Sequence, residues 1–252
     1  MNDIYRPSVS VCIATYNGSK FIESQLKSIL GQLNDRDQIV VVDDNSTDNT
    51  YELITSLADS RFLIIKNVQN EGHVRSFERA ISLAQNQYIF MSDQDDVWCD
   101  DRVEVMMSEI LYSKALLVST NSSLIDERGI TINGINFNGV KANRSRSSFL
   151  NIFDIFLGKT SYFGCQMCLH RDILSFVVPI PSYVESHDLW IAMAANLTGR
   201  NRHLDYKSLL RRVHGGNASI IKRPLYQKLL SRIVFFLSMV HLFYRIKIHK
   251  SL

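Results

Sequence analysis

Apolar residues in the first hundred positions come as short unbroken runs alternating with segments that repeat every three or four residues. Residues 8–15, Ser-Val-Ser-Val-Cys-Ile-Ala-Thr, are β-rich and run into the turn signature Tyr16-Asn17-Gly18. Ile22, Leu26, Ile29, Leu30 and Leu33 then recur at helical spacing, predicting a helix over 19–33. A second run, 38–42, ends in Asp43-Asp44-Asn45-Ser46-Thr47-Asp48, where Ser46 or Thr47 is the predicted N-cap of a helix carrying Leu53, Ile54 and Leu57. A third run covers 62–66. Asn70-Glu71-Gly72 follows, then a helix with Val74, Phe77, Ile81 and Ala84 on one face. The fourth run, Tyr88 to Met91, stops abruptly at Asp93, Asp95 and Asp96, ahead of a helix beginning near Asp100.

Strands alternating with helices of this length predict βαβ units and an α/β fold with a mixed, mostly parallel sheet covered on both faces. Ligands of such sheets sit outside the carboxyl ends of the strands. Thr15-Tyr16-Asn17, Asp43-Asp44 and Asp93-Asp95-Asp96 all fall at such ends, so one crevice can collect them. Three carboxylates within four residues repel one another unless a cation lies between them, and hard oxygen ligands suit Mg2+ or Mn2+ bridging a diphosphate. A solvated acidic turn before the next helix is the alternative.

The second half is less regular. A strand is predicted over 115–120, loops over 121–148 with a basic polar run from Lys141 to Ser148, and a strand over 161–167. Glu185-Ser186-His187-Asp188-Leu189-Trp190 precedes a helix with Ile191, Ala194, Ala195 and Leu197 toward its buried side. A strand or edge segment is predicted over 204–213. The tail from Leu225 has an apolar stretch over 233–244, too short to span a bilayer that needs roughly twenty residues. Arg223, Lys228, Arg232, Arg245, Lys247 and Lys250 flank it, which fits either an interfacial amphipathic helix on an anionic membrane or a helix packed on the domain. The boundaries predicted are a main domain over 1–222, divided into 1–112 and 113–222, and a basic tail over 223–252.

Composition narrows this picture. At 252 residues and 46% hydrophobic content, the chain has enough material for one sizeable core, and the net charge of +3 hides an acidic first half and a basic tail. The first residues lack an apolar h-region and the four cysteines show no zinc-ligand pattern beyond one CxxC, Cys165 and Cys168, so buried thiols in a reducing cytoplasm are expected. No GxGxxG follows the first strand and no GxxxxGK[ST] occurs, which argues against a dinucleotide oxidoreductase and a P-loop NTPase.

Four motifs in order, Ser-Val-Cys-Ile-Ala-Thr-Tyr-Asn-Gly, Val-Val-Val-Asp-Asp-Asn-Ser-Thr-Asp, Asn-Glu-Gly and Ser-Asp-Gln-Asp-Asp-Val-Trp, resemble family 2 of the inverting glycosyltransferases, which have the GT-A fold. The last is similar to that of bacterial enzymes assembling O-antigen or capsular polysaccharide, many of them rhamnosyl- or hexosyltransferases. The resemblance is dense over 8–105 and implies a nucleotide-sugar half followed by an acceptor half. It implies that Asp44 accepts the N3–H of a uracil or thymine base, with Thr15, Tyr16, Asn17 and Asp43 about the nucleotide. Asp93 and Asp95 would stand at the ribose or diphosphate, and Asp95 and Asp96 at the cation. Arg75 would reach the base or a phosphate, or else lie on a solvated helix face. Asp188 matches the family's base, although the usual Glu-Asp pair is His187-Asp188 here, which leaves His187 a role as hydrogen-bond partner or second titrating group. His214-Gly215-Gly216-Asn217 resembles a His-Gly-x-Asn element, in which His214 would ligate the metal or hold the diphosphate, or be structural.

The implied partners are a UDP- or dTDP-sugar and a glycan or polyprenyl-diphosphate-linked acceptor, with peripheral contact at the inner face of the cytoplasmic membrane and no nucleic acid. The competing readings are a nucleotidyltransferase, for which no Gly-rich, Lys- or Arg-bearing triphosphate loop is found near the N-terminus, and a non-catalytic sugar- or lipid-binding module.

Overall fold

The computed structural model describes residues 6–57, 59–134, 138–214 and 225–249, with the side chains of 225 and 227–229 outside the description. The predicted boundary at 222/223, Gly215 to Ser219 of the His-Gly element, Arg223, the Lys228 side chain and Lys250 lie outside the described residues.

The first half alternates as its pattern predicts: β1 (Val9–Thr15), α1 (Ile22–Leu30), β2 (Gln38–Asp43), α2 (Thr50–Thr55), β3 (Phe62–Lys66), α3 (His73–Leu83) and β4 (Tyr88–Ser92). A two-residue β5 (Val97–Trp98) and α4 (Arg102–Ser113) follow. The second half holds β6 (Leu117–Ile125), α5 (Ser148–Leu157), β7 (Met167–His170), the short α6 (Leu174–Val177), α7 (His187–Leu197), β8 (Asn201–Arg212) and α8 (Leu225–His249). These strands form one sheet in the order β3-β2-β1-β4-β7-β6-β8-β5. β3, β2, β1 and β4 are mutually parallel; β7 joins β4 antiparallel and β6 runs antiparallel to β7. β8 is parallel to β6, and β5 antiparallel to β8.

Alternation within the apolar runs explains why they are unbroken. Val9, Val11 and Ile13 of β1, Ile39 and Val41 of β2 and Phe90 of β4 pack with α1 and α4 on one face. Cys12, Val40, Val42, Ile89 and Met91 pack on the other, with Phe77, Ala80 and Ile81 of α3 and with α7. Successive side chains point to opposite faces of a strand, and both faces here are covered by helices, so no position of a central strand is left for a polar residue to face water.

Several local expectations are corrected. Ser46 and Thr47 do not cap α2: the Ser46 hydroxyl accepts the Asn17 N–H at 2.9 Å and the Thr47 N–H goes to Asn17 Oδ1 at 2.9 Å, while Asp48 Oδ1 accepts the Thr50 N–H at 3.1 Å. The predicted strand over 161–167 is a 3-10 turn at Gly164–Gln166, with the strand starting only at Met167. β6 continues to Ile125 because β8 pairs with it as far as Arg212, and β8 is no edge, having β5 on its other side. α5 was not foreseen; its sequence is apolar nearly all round and only Asn151 and Ile155 are buried. α8 extends well beyond the apolar stretch and inserts Leu242 and Ile246 into the core beside α7, so the tail packs on the domain.

Arg102 ties the two halves together. It is fully buried, donates to Ser208 Oγ and, at 2.6 Å, to the carbonyl of Cys165, and lies 4.6 Å over the Trp98 ring. Burial drives its guanidinium down to about 10, and the surrounding dipoles and π-faces keep it charged at neutral pH. Arg102→Ala is expected to cost about 3 kcal/mol in chemical denaturation, through orphaned acceptors and a cavity. A loss within experimental error would show that the guanidinium does not join α4 to β8 and the Cys165 turn.

Candidate active site

The carboxyl ends of β1, β2 and β4 and the first turn of α7 open onto one cavity of about 510 Å3. Thr15, Tyr16, Asp44, Asp93, Asp95, Asp96, Asp188 and His214 all line it. Three predicted residues stand outside that lining. Asp43 is wholly buried, its Oδ1 accepting the Ser46 N–H at 2.9 Å, because as the last residue of β2 it turns into the sheet to anchor the following loop. Asn17 takes a left-handed backbone (φ 49°) and spends its side-chain oxygen on the Thr47 N–H, shaping the loop from outside. Arg75 points away, donating to Glu78 Oε2 at 2.5 Å and to the Ile180 carbonyl at 2.7 Å.

The loops are held together by residues within the motifs themselves. Gln94 Oε1 accepts from Thr15 Oγ1 at 2.6 Å and from the Tyr16 N–H at 2.8 Å, fastening the β4 loop to the β1 loop. Gly18 is required beside it: a Cβ there would meet Gln94 Oε1 at 2.5 Å. Asp44 accepts Asn67 Nδ2 and the Glu71 N–H on Oδ1 and the Gly72 N–H on Oδ2, each at 2.8 Å. An ionised carboxylate has about four acceptor positions, so Asp44 keeps capacity for one more donor in the cavity. Phe163, His73 and Arg211 also line the cavity, the Arg211 guanidinium 3.8 Å over the Phe163 ring. They come from segments without a motif, so no sequence signal marked them.

The acidic cluster lacks charge balance among its own residues. Asp96 is 2% exposed; its Oδ1 accepts the Arg212 N–H at 3.0 Å, and apart from the Cys165 thiol beside the carboxyl the buried Oδ2 has no polar partner. Asp93, Asp96 and Cys165 offer ligand atoms that all lie within 4.8 Å of one another. Burial, then the neighbouring Asp95 and Asp188, push Asp93 up to about 6; burial, Asp93 and Asp95 push Asp96 up to about 8. Asp95 Oδ2 meets His214 Nε2 at 2.7 Å, bringing that imidazole onto the cluster. Crowded carboxylates with a buried oxygen met only by a thiol fit a hard divalent cation held by Asp93 and Asp96, with Asp95 and His214 beside it. Burial holds Cys165 far above the usual thiol range, so it stands there as a neutral thiol.

Across the cavity, His187 Nε2 lies 2.6 Å from Asp188 Oδ1. The imidazole is fixed by Phe77, ring centroids 4.4 Å apart, and by the edge of His73 at 5.7 Å. Gly164 allows the approach, since a Cβ there would sit 2.8 Å from Asp188 Oδ1 and 3.0 Å from His187 Nε2. Burial alone would raise the Asp188 carboxyl; the His187 charge and hydrogen bond, the Gly164 N–H and His73 outweigh it and leave it lowered. Burial alone would lower His187, and Asp188 with Asp93 outweighs that and leaves it raised. Between pH 3.8 and 6.5 the two therefore carry opposite charges.

Two opposite linkages follow from the ordinary values, 3.8 for Asp188 and 6.5 for His187. The raised His187 contributes stability that is fully present below 6.5 and lost as pH rises through its folded value. The lowered Asp188 contributes stability present above 3.8 and lost as pH falls. His187→Gln is expected to lower the melting temperature more at about pH 5.5 than at about pH 8.5, since its lost packing is the same at both. Equal losses in calorimetry at the two pH values would rule out a charged pair.

A family model, "Glycosyl transferase family 2", matches residues 10–176. The chain is 30% identical over 127 residues to the UDP-Glc:alpha-D-GlcNAc-diphosphoundecaprenol beta-1,3-glucosyltransferase WfaP of Escherichia coli, covering 50% of each protein. It is 35% identical over 116 residues to the dTDP-rhamnosyl transferase RfbG of Shigella flexneri, covering 43% of this chain and 40% of that one. The chain thus spans about half the length, or less, of these curated relatives. Among solved structures, S. aureus TarS in complex with UDP-GlcNAc superposes with a TM-score of 0.71 at 19% identity, over 93% of this chain and 69% of that one. The Pyrobaculum calidifontis mannosyltransferase PcManGT in complex with GDP-Man and Mn2+ gives 0.61 at 16% identity, over 98% and 76%. Such likeness shows the fold, which is GT-A. With the family model matching well over half of its length, the chain belongs to glycosyl transferase family 2.

Proposed function

We propose that this protein transfers a sugar, with inversion, from a UDP- or dTDP-activated donor to a glycan or polyprenyl-diphosphate-linked acceptor in the synthesis of a bacterial surface polysaccharide. The observation that carries the reading is the convergence of Asp44, the Asp93–Asp96 cluster and Asp188 on one cavity. The named activities of WfaP and RfbG support the donor and acceptor classes.

In this reading Asp44 uses its remaining acceptor position for the N3–H of a pyrimidine base, with Thr15 and Tyr16 beside it. Asp93, Asp96, Asp95 and His214 would hold a Mg2+ or Mn2+ ion, which would supply positive charge against the departing diphosphate. Arg211 adds a second cation on the same wall. Asp188 takes the proton of the acceptor hydroxyl as that oxygen attacks the anomeric carbon from the side opposite the diphosphate. His187 occupies one oxygen of Asp188 and keeps the carboxylate ionised and oriented. A membrane-held acceptor would keep the enzyme peripheral at the inner face of the cytoplasmic membrane. No observation favours nucleotidyl transfer.

A screen of UDP- and dTDP-sugars, with and without EDTA, tests the reading; turnover of none of them by the wild type, or turnover unaffected by EDTA, would overturn it. Asp188→Asn is expected to reduce transfer by about 10^2–10^4-fold while UDP binding survives. Asp96→Ala is expected to weaken Mn2+-dependent UDP binding in titration calorimetry by at least about tenfold. Wild-type transfer by Asp188→Asn would remove this carboxylate as the base.

A further inference from the structure

α5 and α8 leave a broad apolar plateau on the outside of the molecule. Leu230, Ile233, Leu237, Val240 and Tyr244 of α8 recur three and four residues apart and are 52–65% exposed. The opposite side of this helix, with Leu242 and Ile246, makes the core contacts, so α8 carries apolar residues on two opposite sides. Phe149, Phe153 and Leu157 of α5 are 79%, 49% and 38% exposed. Phe156 joins the two helices, its ring centroid 5.4 Å from Phe235 and 5.3 Å from Phe236. Between α8 and Tyr183 lies a groove of about 510 Å3. A helix of 25 residues is about 37 Å long, so this surface far exceeds the scattered apolar residues of an ordinary monomer.

Charge identifies what covers it. The α8 sequence has four Lys and Arg and no Asp or Glu. Lys159 at the end of α5 and Lys247 on α8 are exposed, Arg232 lies 4.9 Å over the Phe156 ring, and the one acid of α5, Asp154, is met by Arg144 at 3.7 Å. An apolar face rimmed by cations matches the boundary of a bilayer with anionic headgroups. A second copy would set two acid-free helices side by side with no carboxylate to offset their charge. Among the described residues no helix is long and apolar enough to cross a membrane. α7, whose first turn carries Asp188, packs against both α5 and α8, which puts the plateau directly behind the acceptor side of the cavity.

We propose that the α5–α8 plateau is a docking surface for an anionic lipid bilayer, with α8 lying in the interface plane and α5 alongside it. The inference rests on the reading of a membrane-held acceptor for its use and deepens that reading by naming the surface. It is tested by cosedimentation of the full chain with phosphatidylglycerol–phosphatidylethanolamine vesicles containing no acceptor lipid, with phosphatidylcholine vesicles as the neutral control. The wild type is expected to bind the anionic vesicles and to lose binding as salt is added. The double variant Leu237→Glu, Val240→Glu should bind at least about tenfold more weakly, and Phe153→Glu alone should also weaken binding. Both replace exposed side chains, so melting temperatures and transfer to a water-soluble acceptor should stay unchanged. Wild type left in the supernatant, or variants that bind as well as it does, overturns the proposal. So does a dimer in light scattering that the same variants dissolve, because then a second copy covers the plateau. Vesicle binding without sugar transfer would sink the proposed function and leave the surface standing.

Discussion

Carboxylates crowded at the end of β4 set the terms for everything around them. Asp93, Asp95 and Asp96 stand beside one another where burial has removed the water that would screen them, and Asp96 is pushed up to about 8 as a result. Such an arrangement costs free energy in the isolated chain. It persists because the surrounding structure over-determines it: Gln94 clamps the loop to β1, the Arg212 N–H occupies one oxygen of Asp96, and Arg102 braces the turn at Cys165.

Opposite this cluster the chain solves the same electrostatic problem differently. Asp188 is half-buried in a wall that faces Asp93, yet its carboxyl is lowered, because the charge and hydrogen bond of His187 outweigh desolvation. One cavity therefore holds carboxyls displaced in opposite directions, raised at the β4 end and lowered on α7. Gly164 is the steric condition for that division, since its missing Cβ leaves room for the pair.

The same α7 helix links chemistry to the periphery. Its buried side packs in the core with Trp190 and Ile191, and α5 and α8 lean on it from outside. The outer helices and Asp188 are therefore joined through one packed element.

The parallel strands of the first half were legible in the sequence because both their faces are buried, which writes them as unbroken apolar runs, and because the acids that end them cannot continue such a run. The acidic loops and Asp188 were legible through their motifs. Sequence could not separate Asp43 from Asp44: neighbouring residues at a strand end point in opposite directions, and only the sheet determines which one faces the cavity. It could not show Gln94, Arg102 or Cys165 meeting their partners, since each contact spans many tens of residues and leaves no periodic trace. Arg75 and Asn17 lay in the right segments and faced elsewhere, toward the Ile180 carbonyl and the Thr47 N–H. The sequence by itself determined the order of elements, the acids at their ends and the basic character of the tail. Only the tertiary structure decided which acids share a cavity, which cation neutralises Asp188 and which side of α8 remains uncovered, because those depend on packing between elements far apart along the chain.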